Sequence, residues 1–114
     1  MRAINLTRGT TLVEKGEVAN THFKRAVGLL GRSSLPAGGG LLLQPCQSIH
    51  TFFMRFPIDV VFVNGDGRIV HIVENMGPNR VSKINLKARY ALEMPAGTVS
   101  ATSTQIGDKL AVSH

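Results

Sequence analysis

With 114 residues, 43% of them hydrophobic and 18% charged, the chain has the composition of an ordinary globular protein and is expected to form one domain, residues 1–114. A single cysteine excludes an internal disulfide and suits a reducing compartment, and no apolar run reaches the length of a signal peptide or the roughly 18 residues of a membrane helix. A cytoplasmic address with no membrane partner is therefore expected, and the net charge of +6 is dispersed from Arg2 to Lys109 without aromatic interleaving, which argues against nucleic acid as the main partner and leaves a weak pull toward anions.

Twelve glycines and five prolines cut the chain into short apolar runs, the pattern of many short strands. Thr10 to Val18 reads as a strand. Asn20 to Arg32 breaks the pattern: Asn20 or Thr21 can cap a helix, and Phe23, Ala26, Val27 and Leu30 fall on one helical stripe. The spacing predicts a short helix near residues 21–30, with Gly31 in the left-handed position past its end and Lys24 and Arg25 facing water. Leu41 to Leu43 reads as a strand entered through Gly38, Gly39 and Gly40. Val60 to Val63 and Arg68 to Val73 flank Asn64-Gly65-Asp66-Gly67, which predicts an antiparallel hairpin with a primed turn. Ala88 to Met94 reads as a strand ended by Pro95-Ala96-Gly97. Thr98 to Gln105 can form a second short helix, and Lys109 to Val112 the last strand. The expected class is mostly β (α+β).

Several of these segments resemble one known family. Residues 25–32 (RAVGLLGR), 40–43 (GLLL), 48–62 (SIHTFFMRFPIDVVF), 92–97 (LEMPAG) and 106–108 (IGD) are similar, in order and spacing, to the domain of unknown function 192 family. The similarity runs from about residue 18 onward. Many relatives read Trp-Met-Lys-Asn-Thr where this chain has Phe53-Met54-Arg55-Phe56-Pro57, so any role of that Asn-Thr pair is lost here. The resemblance implies a compact, barrel-like antiparallel sheet with a helix packed on it. It implies no reaction and no cofactor.

The chemistry-bearing residues concentrate in residues 46–59. Read as a strand, Ile49 to Phe56 would place His50, Phe52, Met54 and Phe56 on one face and Ile49, Thr51, Phe53 and Arg55 on the other. Cys46, His50 and Met54 are spaced four apart and would stack on a helix as soft metal donors, but Pro57, the aromatic run and the family resemblance oppose a helix here, and zinc wants four ligands. No metal is expected, and Cys46 reads as a small buried hydrophobe. Asp59 and Glu93 each interrupt an apolar run. Both either face water by alternation or are buried with a cation or amide donors, because an unpaired buried carboxylate costs several kcal/mol. Arg25, Arg32 and Arg55 are the candidate cations.

The residues thus suggest a binding module whose pocket, built from Arg25, Arg32, His50, Thr51, Met54, Arg55, Asp59 and Glu93, accepts a small anionic or zwitterionic molecule or a peptide. The alternative is an enzyme that transfers protons through His50 and Asp59, with Cys46 as a further participant. No catalytic motif is recognisable.

Overall fold

Eight strands in two sheets carry the fold. In the computed structural model, which describes the backbone of residues 1–114 and all side chains but those of His22, Phe23 and Ala26, the strands are β1 (Arg2–Asn5), β2 (Thr10–Val13), β3 (Glu17–Ala19), β4 (Leu41–Leu43), β5 (Ile58–Asn64), β6 (Ile69–Met76), β7 (Ala88–Pro95) and β8 (Leu110–Ser113). Two short helices, α1 (His22–Val27) and α2 (Thr98–Ala101), interrupt them. One sheet has three strands in the order β2-β1-β8, and the other has five in the order β3-β4-β7-β5-β6.

The mostly-β expectation holds, but the barrel does not close. The two sheets remain separate and meet at one corner, where Arg68 bridges Lys109 and the amides of Ile69 and Leu110 donate to the carbonyls of Asp108 and Gly67. Nor is the larger sheet wholly antiparallel, since β3 runs parallel to β4. The expected strand Thr10 to Val18 is two strands in different sheets, separated by a turn at residues 14–16.

The five-stranded sheet is covered on both faces. On one side Leu41, Leu43, Val60, Phe62 and Ala91 pack with Leu29, Ile49 and Met54 from the α1 region and the loop before β5. On the other, Leu42, Val61, Val63, Leu92 and Met94 pack against Ala3, Val13 and Leu110 of the smaller sheet. Adjacent residues of one strand thus enter different cores, as the two-residue pleat requires. This double cover is why β5 reads as an almost uninterrupted apolar run.

The hairpin joins β5 to β6 as expected, with a different turn. Gly67 N–H donates to the Asn64 carbonyl and Asn64 N–H to the Arg68 carbonyl, while Gly67, at φ 79°, supplies the left-handed residue. Gly65 is not left-handed, so the loop is a turn closed by a glycine bulge and not a primed two-residue turn.

The helix α1 is shorter than its apolar stripe. Thr21 caps it by accepting the Lys24 N–H on Oγ1, and Gly28, at φ 50°, ends it three residues before Gly31. The stripe's Phe23 and Ala26 lie outside the described side chains, whereas Leu29 is buried in the turn that follows. The second helix is confined to four residues.

Residues 49–56 are not a strand. Only His50 makes a ladder contact, an isolated bridge to Val81, and the chain then turns, with Met54 N–H donating to the Thr51 carbonyl. The loop pairs with residues 77–86 instead of with a sheet. Thr51 N–H donates to the Arg80 carbonyl, Asn79 N–H to the Thr51 carbonyl, Ser82 N–H to the Ile49 carbonyl and Asn85 N–H to the Gln47 carbonyl. The alternation expected across this stretch is therefore absent: Ile49, Thr51 and Met54 are buried, while His50, Phe52 and Phe53 are exposed.

Candidate functional site

Glu93 stands on β7 between Leu92 and Met94, and its direction follows from the pleat. It pairs across the sheet with Val60, a residue of the core under α1, whereas Asp59 pairs with Met94, a residue of the core between the sheets. The two carboxylates therefore leave the sheet on opposite faces. No single pocket can gather both.

On its face Glu93 meets a cavity of about 260 Å³ between the sheet, the α1 turn and the loop that follows β4. Leu29, Leu30, Leu43, Ile49 and Met54 form its apolar wall. Arg25, Cys46, Gln47, Ser48 and His50 contribute its polar lining. Cys46, expected to be a small buried hydrophobe, is half-buried: it packs against the core and also lines this space. Its thiol donates to the Ser48 carbonyl at 3.1 Å. Burial raises the thiol above its ordinary pKa, the Ser48 bond opposes that, and the charges of Glu93 and Arg25 pull in opposite directions.

The Glu93 side chain is 3% exposed, and its Oε2 has no hydrogen-bond partner among the described residues. Burial pushes its carboxyl up to about 7. Alternation on a sheet with one wet face would have put this acid in water. The second cover layer leaves it no wet face to reach.

Asp59 has a different environment. Its Oδ1 accepts the Asn75 N–H at 2.8 Å, and its Oδ2 accepts those of Gly97 and Val99 at 3.1 and 2.9 Å. Asn75 is left-handed at φ 50° and sits in the bulge where β6 carries an extra residue opposite Asp59. Gly97 and Val99 belong to the start of α2, whose own cap residue has no side chain to offer. One carboxylate thus ties a bulge and a helix start to β5. Of the two kinds of partner expected, amides and arginines, its hydrogen bonds among the described residues come from backbone amides.

The remaining candidates separate. Arg25, His50, Met54 and Glu93 line the one cavity. Arg32 lies in a neighbouring groove, where it pairs with Glu17. Thr51 is fully buried, donating through Oγ1 to the Gly77 carbonyl at 2.6 Å and accepting the Arg80 N–H at 2.9 Å, so it fastens two loops together. Arg55 is exposed and does not line the cavity. His50 and Asp59, the proton-transfer pair of the alternative reading, are not joined: His50 Nδ1 accepts the Phe52 N–H, and both Asp59 oxygens are occupied by amides. Among the described residues, no three His, Cys, Asp or Glu side chains gather as a metal site.

The site residues that sequence reasoning missed are the apolar wall, Leu29, Leu30, Leu43 and Ile49; Cys46 beside it entered only as a participant in the enzyme alternative. Their signal was faint. Only the parity of Glu93 with Ala91, in a strand apolar on both sides, pointed to a carboxyl facing those residues.

The model of the DUF192 family, uncharacterised ACR proteins, matches residues 4–112. The UPF0127 protein of Pyrococcus furiosus is 30% identical over 112 residues, covering 94% of this chain and 94% of its own length. That of Pyrococcus horikoshii is 29% identical with similar coverage. Two solved structures share the fold. One, a protein of unknown function from Novosphingobium aromaticivorans, aligns with a TM-score of 0.84 at 22% identity over 97% of this chain and 82% of that one. The other, a candidate transcription regulator from Sinorhizobium meliloti, aligns with a TM-score of 0.78 at 28% identity over 96% and 89%.

Proposed function

The chain belongs to the DUF192 family, and from that premise we propose that it is a binding module that takes one small molecule into the cavity faced by Glu93. The observation that carries this reading is the Glu93 Oε2: a buried carboxyl oxygen, on a residue only 3% exposed that lines the cavity, with no protein donor among the described residues. Buried polar atoms in folded proteins almost always have partners, and one turned toward a cavity is satisfied when a ligand supplies the donor. A molecule with an N–H or ammonium group at one end and an aliphatic body fits both the carboxyl and the wall of Leu29, Leu43, Ile49 and Met54. Arg25 at the same cavity favours an anionic or carbonyl group at the other end, so a zwitterion suits the site better than a dianion. At about 260 Å³ the cavity is at the small end of ligand sites, which points to a molecule of amino-acid size.

The single cysteine makes occupancy measurable, because Cys46 lines the cavity. Short aliphatic amines, amides and apolar amino acids are screened for slowing of Cys46 alkylation by iodoacetamide and for a rise in the melting midpoint. A compound that does both in the native chain should do neither in Glu93→Leu, which fills the same space without an acceptor. If no member of the panel protects Cys46, or if protection survives in Glu93→Leu, the cavity is not a ligand site of this kind.

A further inference from the structure

The pair of loops at residues 47–53 and 77–87 forms a ribbon outside both sheets. Its strands of loop are laced by the backbone bonds of Gln47, Ile49 and Thr51 to Asn85, Ser82 and Arg80, and by Phe53 N–H donating to Asn79 Oδ1 at 3.2 Å. This ribbon carries Phe52, Phe53, Val81, Ile84 and Leu86, five of the eight large apolar side chains exposed among the described residues. Phe53 and Leu86 are 83% and 81% exposed, so little of either is covered by the protein. Phe53 is also held at φ 64°, a conformation unusual for a bulky residue. A patch of this kind needs an explanation beyond ordinary surface composition.

Charge narrows the occupant. The same ribbon bears Arg80, Lys83 and Lys87, all exposed, with Arg55 just beyond Met54, and neither loop contains an acid. Glu74 of β6 shares a shallow groove with Arg80 and Lys83. A second copy would bring these cations against one another, which is unfavourable. Single-stranded nucleic acid would find the cations and two rings, Phe52 and Phe53, but the aliphatic Val81, Ile84 and Leu86, the majority of the patch, offer a base nothing to stack on. An anionic bilayer answers both features: phosphates for the cations, and an apolar layer just beneath them for the aliphatic and aromatic tips.

We propose that this two-loop ribbon is a peripheral contact surface for anionic membranes, in which Phe53, Ile84 and Leu86 enter the headgroup–acyl boundary while Arg80, Lys83 and Lys87 meet lipid phosphates. Contact of this sort lies on the membrane and does not span it. It is thus compatible with the finding that no helix among the described residues is long and apolar enough to cross one. The expectation of no membrane partner rested on spanning segments alone.

Sedimentation of the full chain with vesicles tests the proposal. The chain should pellet with vesicles of equal parts phosphatidylcholine and phosphatidylglycerol, and not with phosphatidylcholine alone, and added salt should weaken the association. Replacing Lys83 or Lys87 by Gln should lower the partition coefficient about fivefold each. Phe53→Ser and Leu86→Ser should each lower it on the order of tenfold. All four positions are exposed, and unchanged urea midpoints would verify that the variants fold. Failure of the native chain to pellet with the mixed vesicles would overturn the proposal. So would equal partition of the native chain and Leu86→Ser, since the attraction would then be charge alone. Retention of a single-stranded oligonucleotide without vesicle binding would replace it with a nucleic-acid surface. A concentration-dependent dimer abolished by Leu86→Ser would replace it with self-association.

Discussion

Glu93 makes stability depend on pH in the direction opposite to most carboxylates. Its folded value of about 7 lies above the ordinary 4.5, so between those two points the folded chain binds a proton that the unfolded chain releases. The stabilisation is complete below about pH 4.5 and is lost as pH rises to about 7, by roughly 3 kcal/mol in total. Glu93→Gln keeps the shape without the charge, so the variant should match the native chain near pH 4.5 and exceed it at pH 8. Urea midpoints at the two pH values check this, and an equal difference at both would mean that Glu93 does not titrate in that range. Asp59 answers to another mechanism. Three amide donors converge on it, and Asp59→Asn would turn an NH2 group toward at least one of them, at a cost of about 1–3 kcal/mol at neutral pH. A denaturation midpoint unaffected by that change would show that the bulge and the α2 start hold without the carboxylate.

At the scale of elements, the hairpin offers the sharpest comparison. Gly67 is left-handed, and a Cβ there would come within 3.1 Å of the Leu110 carbonyl oxygen, whereas one at Gly65 would find nothing nearer than the Arg89 Nε at 3.7 Å. Gly67→Ala should therefore cost roughly 1–2 kcal/mol and Gly65→Ala well under that. Chemical denaturation of the pair decides, and the reverse ranking would indicate a primed turn. The hairpin itself was legible because its turn residues and its β-branched runs agree. So was β4, an apolar triplet between glycines and Gln44. The loop at residues 49–56 was misread for a physical reason. Ile49, Thr51 and the phenylalanines suit a strand by composition, but the backbone groups of Ile49 and Thr51 are satisfied by Ser82, Arg80 and Asn79, about thirty residues further along. Helix α1 was placed correctly and made too long, because Gly28 ends the helix and Leu30 continues its stripe only in projection. As for the site, Glu93 and His50 stood out as residues; that Asp59 belongs to the other face required knowing which side of the sheet each core covers.

For the molecule as a whole, Asp108 supplies the acid limb of the stability curve. Burial alone would raise its carboxyl, but the side chains of Asn5 and Arg8 and the Gln105 amide bind it and hold it below the ordinary 3.8. That contribution is present above about pH 3.8 and is lost as pH falls through the lower folded value. With Glu93 acting in the opposite direction, the native chain should be most stable near pH 4–5, which a urea series across pH 3–8 would reveal, and Asp108→Asn should flatten only the acid side. A curve that instead rises steadily to pH 7 would refute the Glu93 assignment, and an acid side left unchanged by Asp108→Asn would refute that of Asp108. The same corner has a kinetic meaning. In the small sheet β1 pairs with β8, so that Arg2 lies opposite Ser113 and Asn5 opposite Leu110, and nearly the whole chain separates these partners in sequence. Closing such a loop is the slowest kind of contact to form, because its entropy is spent before any neighbouring contact rewards it. A circular permutant that links residue 113 to residue 2 and opens at the hairpin tip near Gly65 would turn that remote pairing into a local one. It would leave every native contact of the small sheet in place while moving the long-range closure to β5 and β6, and stopped-flow refolding of the two chains would show which pairing sets the rate.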